Sequence, residues 1–167
     1  MCIRDRYCYS LLREISNAGH TIGIHSASHD YEKIYASVDA FLEDFNEAYE
    51  IVLEATGKAP DIYRFPGGSV NDYNEKTRDD IIAEMDRRGF TYFDWNVDSN
   101  DWQGYGWTTL YTNVLKDAEE FSSPVILFHN TGDRDNTVLV IEDIIKALKN
   151  KGYKFGSLSQ KIKPVQF

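Results

Sequence analysis

Gly19-His20-Thr21-Ile22-Gly23-Ile24-His25-Ser26-Ala27-Ser28-His29-Asp30-Tyr31 joins a short β-branched run to two histidines four residues apart. Thr21 to Ile24 reads as a strand that ends where the polar residues begin. A helical turn after His25 would put positions 25 and 29 on one face. Their imidazoles would then converge on one divalent ion, which accepts nitrogen donors of this kind. Two polar histidines in a surface turn are the plainer reading, so the pair needs support from the rest of the chain.

On the upstream side, Ser10 to Ala18 reads as the tail of an amphipathic helix, with Leu11, Leu12 and Ile15 inward and Gly19 as its stop. Downstream, Val38, Phe41, Leu42, Phe45, Tyr49, Val52 and Leu53 recur at helical spacing. Ser37 is placed to cap that helix, Gly57 lies just past its end and Pro60 blocks continuation. Its aromatic stripe reads as core. Ile62-Tyr63-Arg64-Phe65 is a short strand ended by Pro66-Gly67-Gly68. A helix over Asn74–Arg88 follows, carrying Ile81, Ile82 and Met85 inside and the Asp79-Asp80 pair on its solvated face. Phe90 to Val97 is the next strand, and Asp98 to Trp107 a polar, aromatic loop. Leu110 to Phe121 is again helical. Val125-Ile126-Leu127-Phe128 is an apolar run of the kind covered on both faces. Leu139 to Leu148 is the last long helix and Tyr153–Phe155 the last short strand.

Strand and helix thus alternate about five times without a long linker, which implies right-handed βαβ units and a parallel sheet, open or closed into a barrel. In such folds the chemistry collects beyond the carboxyl ends of the strands. His25, Arg64, the Asp98–Trp102 loop and His129 each fall at or just after a strand end.

Composition narrows the function classes. With 167 residues, 42% of them hydrophobic and 14% aromatic, the chain can build a sizeable core as one domain, residues 1–167. A net charge of -9 argues against a nucleic-acid partner, since phosphate binding needs a basic face. It suits a neutral or cationic small substrate, or a glycan. Only Cys2 and Cys8 are present, too few and too clustered for a disulfide framework. No stretch approaches the ~18 apolar residues of a membrane span. Met1 to Tyr7 has no apolar core, so it is not a secretory signal.

Each polar cluster has a dull reading by itself. Arg64 could be solvated beside a turn, Asp94, Asp98 and Asp101 could form a solvated acidic loop, and His129 could simply end a strand. Their joint order is more specific. His25-Ser-Ala-Ser-His29, Arg64-Phe65-Pro66, Asp98-Ser-Asn-Asp101-Trp102 and Leu127-Phe-His129 together resemble the polysaccharide deacetylases. These are carbohydrate esterase family 4, the NodB-homology domain, and the likeness runs from about Leu11 to Leu158. Within the family the chain looks most like the branch acting on peptidoglycan N-acetylglucosamine.

The resemblance implies an α/β fold, a distorted (β/α)7 barrel of the NodB-homology type. The family opens with a strand ending in Thr-Phe-Asp-Asp, whose first aspartate is the catalytic base and whose second binds the metal. Nothing before His25 matches it. The expectation is therefore a domain missing its first β-α-β portion, with exposed strand edges and reduced activity by itself.

By the same resemblance, His25 and His29 would bind a divalent metal, zinc first, with cobalt, manganese or nickel as alternatives. His129 would protonate the departing amine, Asp101 would orient it with Asp98 in reserve, and Arg64 would position the carboxylates. Phe65, Pro66, Gly67, Trp102 and Leu127 would line the substrate site, with the Gly67 N–H as an oxyanion donor. The implied partner is a glycan met by a monomer outside the cell or at its surface. Two rivals stand beside this reading: a non-catalytic glycan-binding relative, and a glycosidase using carboxylates of the Asp94–Asp101 stretch.

Overall fold

A computed structural model of the chain describes residues 6–130 and 135–167; Cys2 lies outside them. The chain divides into two compact units, Met1–Asp94 with Ser157–Phe167, and Trp95–Gly156.

In the first unit, helix α1 (Arg6–Asn17) stops at Gly19, whose φ of 86° is left-handed. Its inward set is narrower than the pattern suggests: Leu12 and Ile15 are half-buried, but Leu11 is exposed. A one-turn helix α2 (Tyr31–Ile34) leads to α3 (Val38–Thr56). Both expected caps of α3 are present. Ser37 Oγ accepts from the Ala40 N–H at 3.1 Å, and Gly57 takes the left-handed conformation with its N–H on Leu53 O. Phe41, Phe45, Ala48, Ile51 and Ala55 make its buried stripe, and Asp44 lies on the same stripe.

The expected strand Thr21–Ile24 is reduced to one parallel bridge between Ile24 and Tyr63. Ile24 N–H donates to Ile62 O at 3.0 Å, and Arg64 N–H donates to Ile24 O at 2.9 Å. The approach is so close that a Cβ on Gly23 would lie 3.1 Å from Ile62 O. Strand β1 (Ile62–Tyr63) pairs in parallel with β2 (Thr91–Tyr92), as a βαβ crossover requires. The crossover helix α4 (Arg78–Arg87) starts later than Asn74, because Asn74 is spent on the preceding loop, where its side-chain amide donates to Ser69 O at 3.1 Å. Asp79 and Asp80 sit exposed in the first turn of α4, where negative charge suits the helix dipole.

The expected strand Phe90–Val97 breaks in two at Asp94. The Asp94 N–H donates to Val165 O at 2.8 Å, so the chain's tail takes the place of a continuing strand.

In the second unit β3 (Val97–Asp98) pairs in parallel with β4 (Ile126–Leu127). A 3₁₀ turn (Asp101–Gln103) follows β3. Helices α5 (Trp107–Ala118) and α6 (Asp135–Asn150) pack through Leu110, Val114 and Ala118 against Val140, Ile144 and Leu148. The inward face of α6 therefore starts at Val140, and Leu139 is exposed. The run Val125–Phe128 was expected to be covered on both faces, yet only Leu127 is buried. Among the described residues its sheet has two strands, too few to enclose it. No strand forms at Tyr153–Phe155; the Tyr153 hydroxyl instead donates to Ala118 O and Phe121 O at the end of α5. Among the described residues no helix is long and apolar enough to cross a membrane.

Candidate active site

The segment His25–His29 does not turn helical. Its shape comes from Asp44, the acid on the buried stripe of α3. The Asp44 carboxylate accepts from Ser26 Oγ at 2.6 Å and from the N–H groups of Ala27 and Ser28 at 3.0 and 2.9 Å. Ser26 Oγ in turn accepts from the His29 N–H at 2.8 Å, and His29 adopts a left-handed φ of 57°. A pinned turn therefore does what a helix was expected to do, and the two imidazole centroids lie 5.1 Å apart. Burial opposes ionisation of Asp44, but these four groups, Ser26, Ser28 and the two amides, outweigh it and hold the carboxyl below its usual range.

His25 Nδ1 lies 2.9 Å from the Arg64 carbonyl oxygen. Donation to that carbonyl places the proton on Nδ1 and the lone pair on Nε2, the tautomer of a metal-ligating histidine. The donor chemistry and the ring spacing fit two ligands of a divalent ion. Among the described residues no third His, Cys, Asp or Glu completes a cluster with them, so the pair supplies fewer ligands than the usual catalytic three.

Arg64 thus enters the site through its backbone carbonyl. Phe65, expected on the substrate surface, is 0% exposed and stacks among Phe41, Tyr35, Tyr63 and Tyr92. Alternation along an extended chain turns it into the core. Pro66 is also buried, and its carbonyl accepts from the Tyr35 hydroxyl at 2.6 Å. Gly67 is exposed with φ 77°, a conformation that suits glycine. The turn is anchored from behind by Asp94, whose carboxylate accepts from Ser69 N–H and Oγ and from Phe167 N–H. Asp94 is a buried anchor, not part of a solvated acidic loop.

In the second unit Asp101 is 1% exposed. It lies 2.7 Å from His129 Nδ1 and accepts the His129 backbone N–H at 2.8 Å and the Thr137 hydroxyl at 2.9 Å. Burial raises the carboxyl, but the His129 and Thr137 donors win and hold it below the ordinary range. A charged carboxylate on Nδ1 fixes the imidazole and directs Nε2 to any proton transfer. Asp98 caps its own loop instead, accepting from Asn100 N–H at 2.8 Å. Trp102 is 55% exposed, whereas Leu127, expected on the substrate surface, is 5% exposed inside β4.

The structure therefore brings His25 together with His29 and Arg64 in one unit, and Asp101 with His129 in the other. Sequence reasoning missed Asp44, Thr137 and the Asp94 anchor. Asp44 left a signal: an acid at the 41-44-45-48 face of an apolar helix needs partners.

A model of the polysaccharide deacetylase family matches residues 5–90. The chain is a member of the polysaccharide deacetylase family. Its sequence is 30% identical over 151 residues to a peptidoglycan-N-acetylglucosamine deacetylase of Bacillus cereus, covering 87% of this chain and 52% of the relative. It is also 30% identical over 152 residues to the peptidoglycan-N-acetylmuramic acid deacetylase PdaA of Bacillus subtilis, covering 89% of this chain and 53% of the relative. The crystal structure of the catalytic domain of a peptidoglycan N-acetylglucosamine deacetylase from Eubacterium rectale superposes with a TM-score of 0.89 at 31% identity. That match covers 95% of this chain and 74% of the other. This polysaccharide deacetylase chain spans about half the length of the curated relatives it matches.

Proposed function

We propose that the chain hydrolyses N-acetyl groups from N-acetylglucosamine in a peptidoglycan-type polysaccharide, outside the cell or at its surface, with a divalent metal. The observation that carries the reading is the Asp101–His129 pair: a buried carboxylate 2.7 Å from Nδ1 of a half-exposed histidine. A pure binding protein has no use for that arrangement. The names of the relatives supply the substrate class. The finer fold reading, a distorted (β/α)7 barrel, draws support from the parallel pairing of β1 with β2 and of β3 with β4.

His25 and His29 would hold the metal, zinc first. When bound, such an ion polarises an acetyl carbonyl and acidifies water. The Arg64 carbonyl keeps His25 in the ligating tautomer. The Gly67 N–H, on an exposed turn, donates to the oxyanion that develops on the acetyl group. Asp101 stabilises the His129 imidazolium, which delivers its Nε2 proton to the departing amine and is left as the neutral imidazole. Trp102 offers an exposed ring for a pyranose face.

The test is acetate release from a β-1,4-linked N-acetylglucosamine tetramer with added zinc. Release that stops with chelator, in His25→Ala/His29→Ala and in His129→Ala, is the expected result. Glycan binding without acetate release would favour the non-catalytic relative. New reducing ends made in the presence of chelator would favour a glycosidase.

A further inference from the structure

The aromatic residue that follows the histidine turn has no role in the chemistry so far. Tyr31 opens α2, with its ring centroid 5.2 Å from the His29 ring and 5.2 Å from that of Tyr73. On its other side its hydroxyl lies 3.2 Å from the point where a Cβ on Gly67 would stand. The phenol therefore fills the space that a side chain at position 67 would take, beside the exposed turn whose N–H is the oxyanion donor. Tyr31 is half-buried, whereas Tyr73 is 53% exposed and meets it edge-on at 71°. Together they form a corner, one ring wall and one hydroxyl, running from a metal-ligand candidate to the Gly67 turn within one unit.

Such a corner suits a pyranose. The sugar's C–H face packs on an aromatic wall, and a phenol hydroxyl hydrogen-bonds a ring substituent. We propose that Tyr31 is a substrate-positioning residue, which with Tyr73 seats the N-acetylglucosamine unit beside His29 and Gly67. The assignment rests on the deacetylase reading and adds to it the residues that hold the sugar.

Binding of the N-acetylglucosamine tetramer, measured by calorimetry with zinc present, separates the possibilities. Tyr31→Phe should weaken binding about fivefold, the effect of one neutral hydrogen bond. Tyr73→Ala should weaken it by a similar factor, and Tyr73→Phe should restore it, because the ring and not the hydroxyl forms the wall. Zinc affinity and melting temperature should stay at the wild-type values in all three variants. If the wild type binds the tetramer and Tyr31→Phe and Tyr73→Ala bind it equally well, this inference fails alone and the deacetylase reading stands. If the wild type binds no tetramer, both fail together. Weakened binding accompanied by lost zinc affinity or a lowered melting temperature would make Tyr31 a structural support of His29 and overturn the positioning role.

Discussion

Asp44 and Asp101 are the same device put to two uses. Each is a buried carboxylate held in its charged form by donors that outweigh the cost of burial. Asp44 spends its oxygens on the backbone N–H groups and serine hydroxyls of one loop, so it fixes the path of that loop, and the two histidines follow. Asp101 spends its oxygens on the side chain and backbone of one histidine and on a threonine. The first sets where functional groups are; the second sets what one of them can do. Variants should therefore separate by readout.

The largest effect is expected at the second carboxylate. Where the wild type releases acetate, His129→Ala should lower kcat by about 10²–10⁴ while KM changes little. Asp101→Asn should do the same, and the double variant should lose little more than either single. Full additivity, or a damaging Asp98→Asn beside a silent Asp101→Asn, would break the pairing.

Next comes Asp44→Ala, which strands donors that now meet one acceptor. Denaturant unfolding should show a loss of about 2–3 kcal/mol, and zinc titration a loss of about 10–100-fold in affinity. Unchanged zinc affinity would mean the turn keeps its shape without its pin. Asp101→Asn should leave zinc affinity untouched, which sharpens the contrast.

Acid should act on both carboxylates. Each is held below its unfolded value, about 3.9 for aspartate. Their contributions are complete above that value and disappear as pH falls through the lower folded ones. The wild type should lose stability below about pH 4, and Asp44→Asn or Asp101→Asn should each flatten that acid limb in melts recorded against pH.

The smallest effect serves as a control. The buried Tyr63 hydroxyl has no hydrogen-bond partner among the described residues. Removing an unsatisfied group removes a cost, so Tyr63→Phe should be neutral or stabilising by up to about 1 kcal/mol. A clear loss in its thermal melt would point to a partner for that oxygen.

The sequence disclosed groups whose placement depends on local rules. The caps of α3 at Ser37 and Gly57 follow from one turn of chain. The meeting of Asp101 with His129 follows from two adjacent strand ends. What it hid depends on distant partners. The histidine spacing pointed to convergence, but by a helix, whereas a carboxylate on α3 does the work. The family resemblance made Phe65 a pocket wall, yet alternation along the extended chain sends it inward. The break of the Phe90–Val97 strand depends on Val165, which nothing near Asp94 announces.

That last contact has a consequence for synthesis. The first unit is discontinuous, completed by Ser157–Phe167, whereas the second is one continuous segment. At about 5–20 residues per second, Val165 leaves the ribosome roughly 4–14 s after Asp94. For that interval Asp94 is a carboxylate awaiting its partner amide, and Ser69 awaits the carbonyl of Phe167. Trp95–Gly156 can collect its local contacts during the same interval. The order of birth is thus written into the topology: the inserted segment can settle first, and the Gly67 turn gets its final brace last.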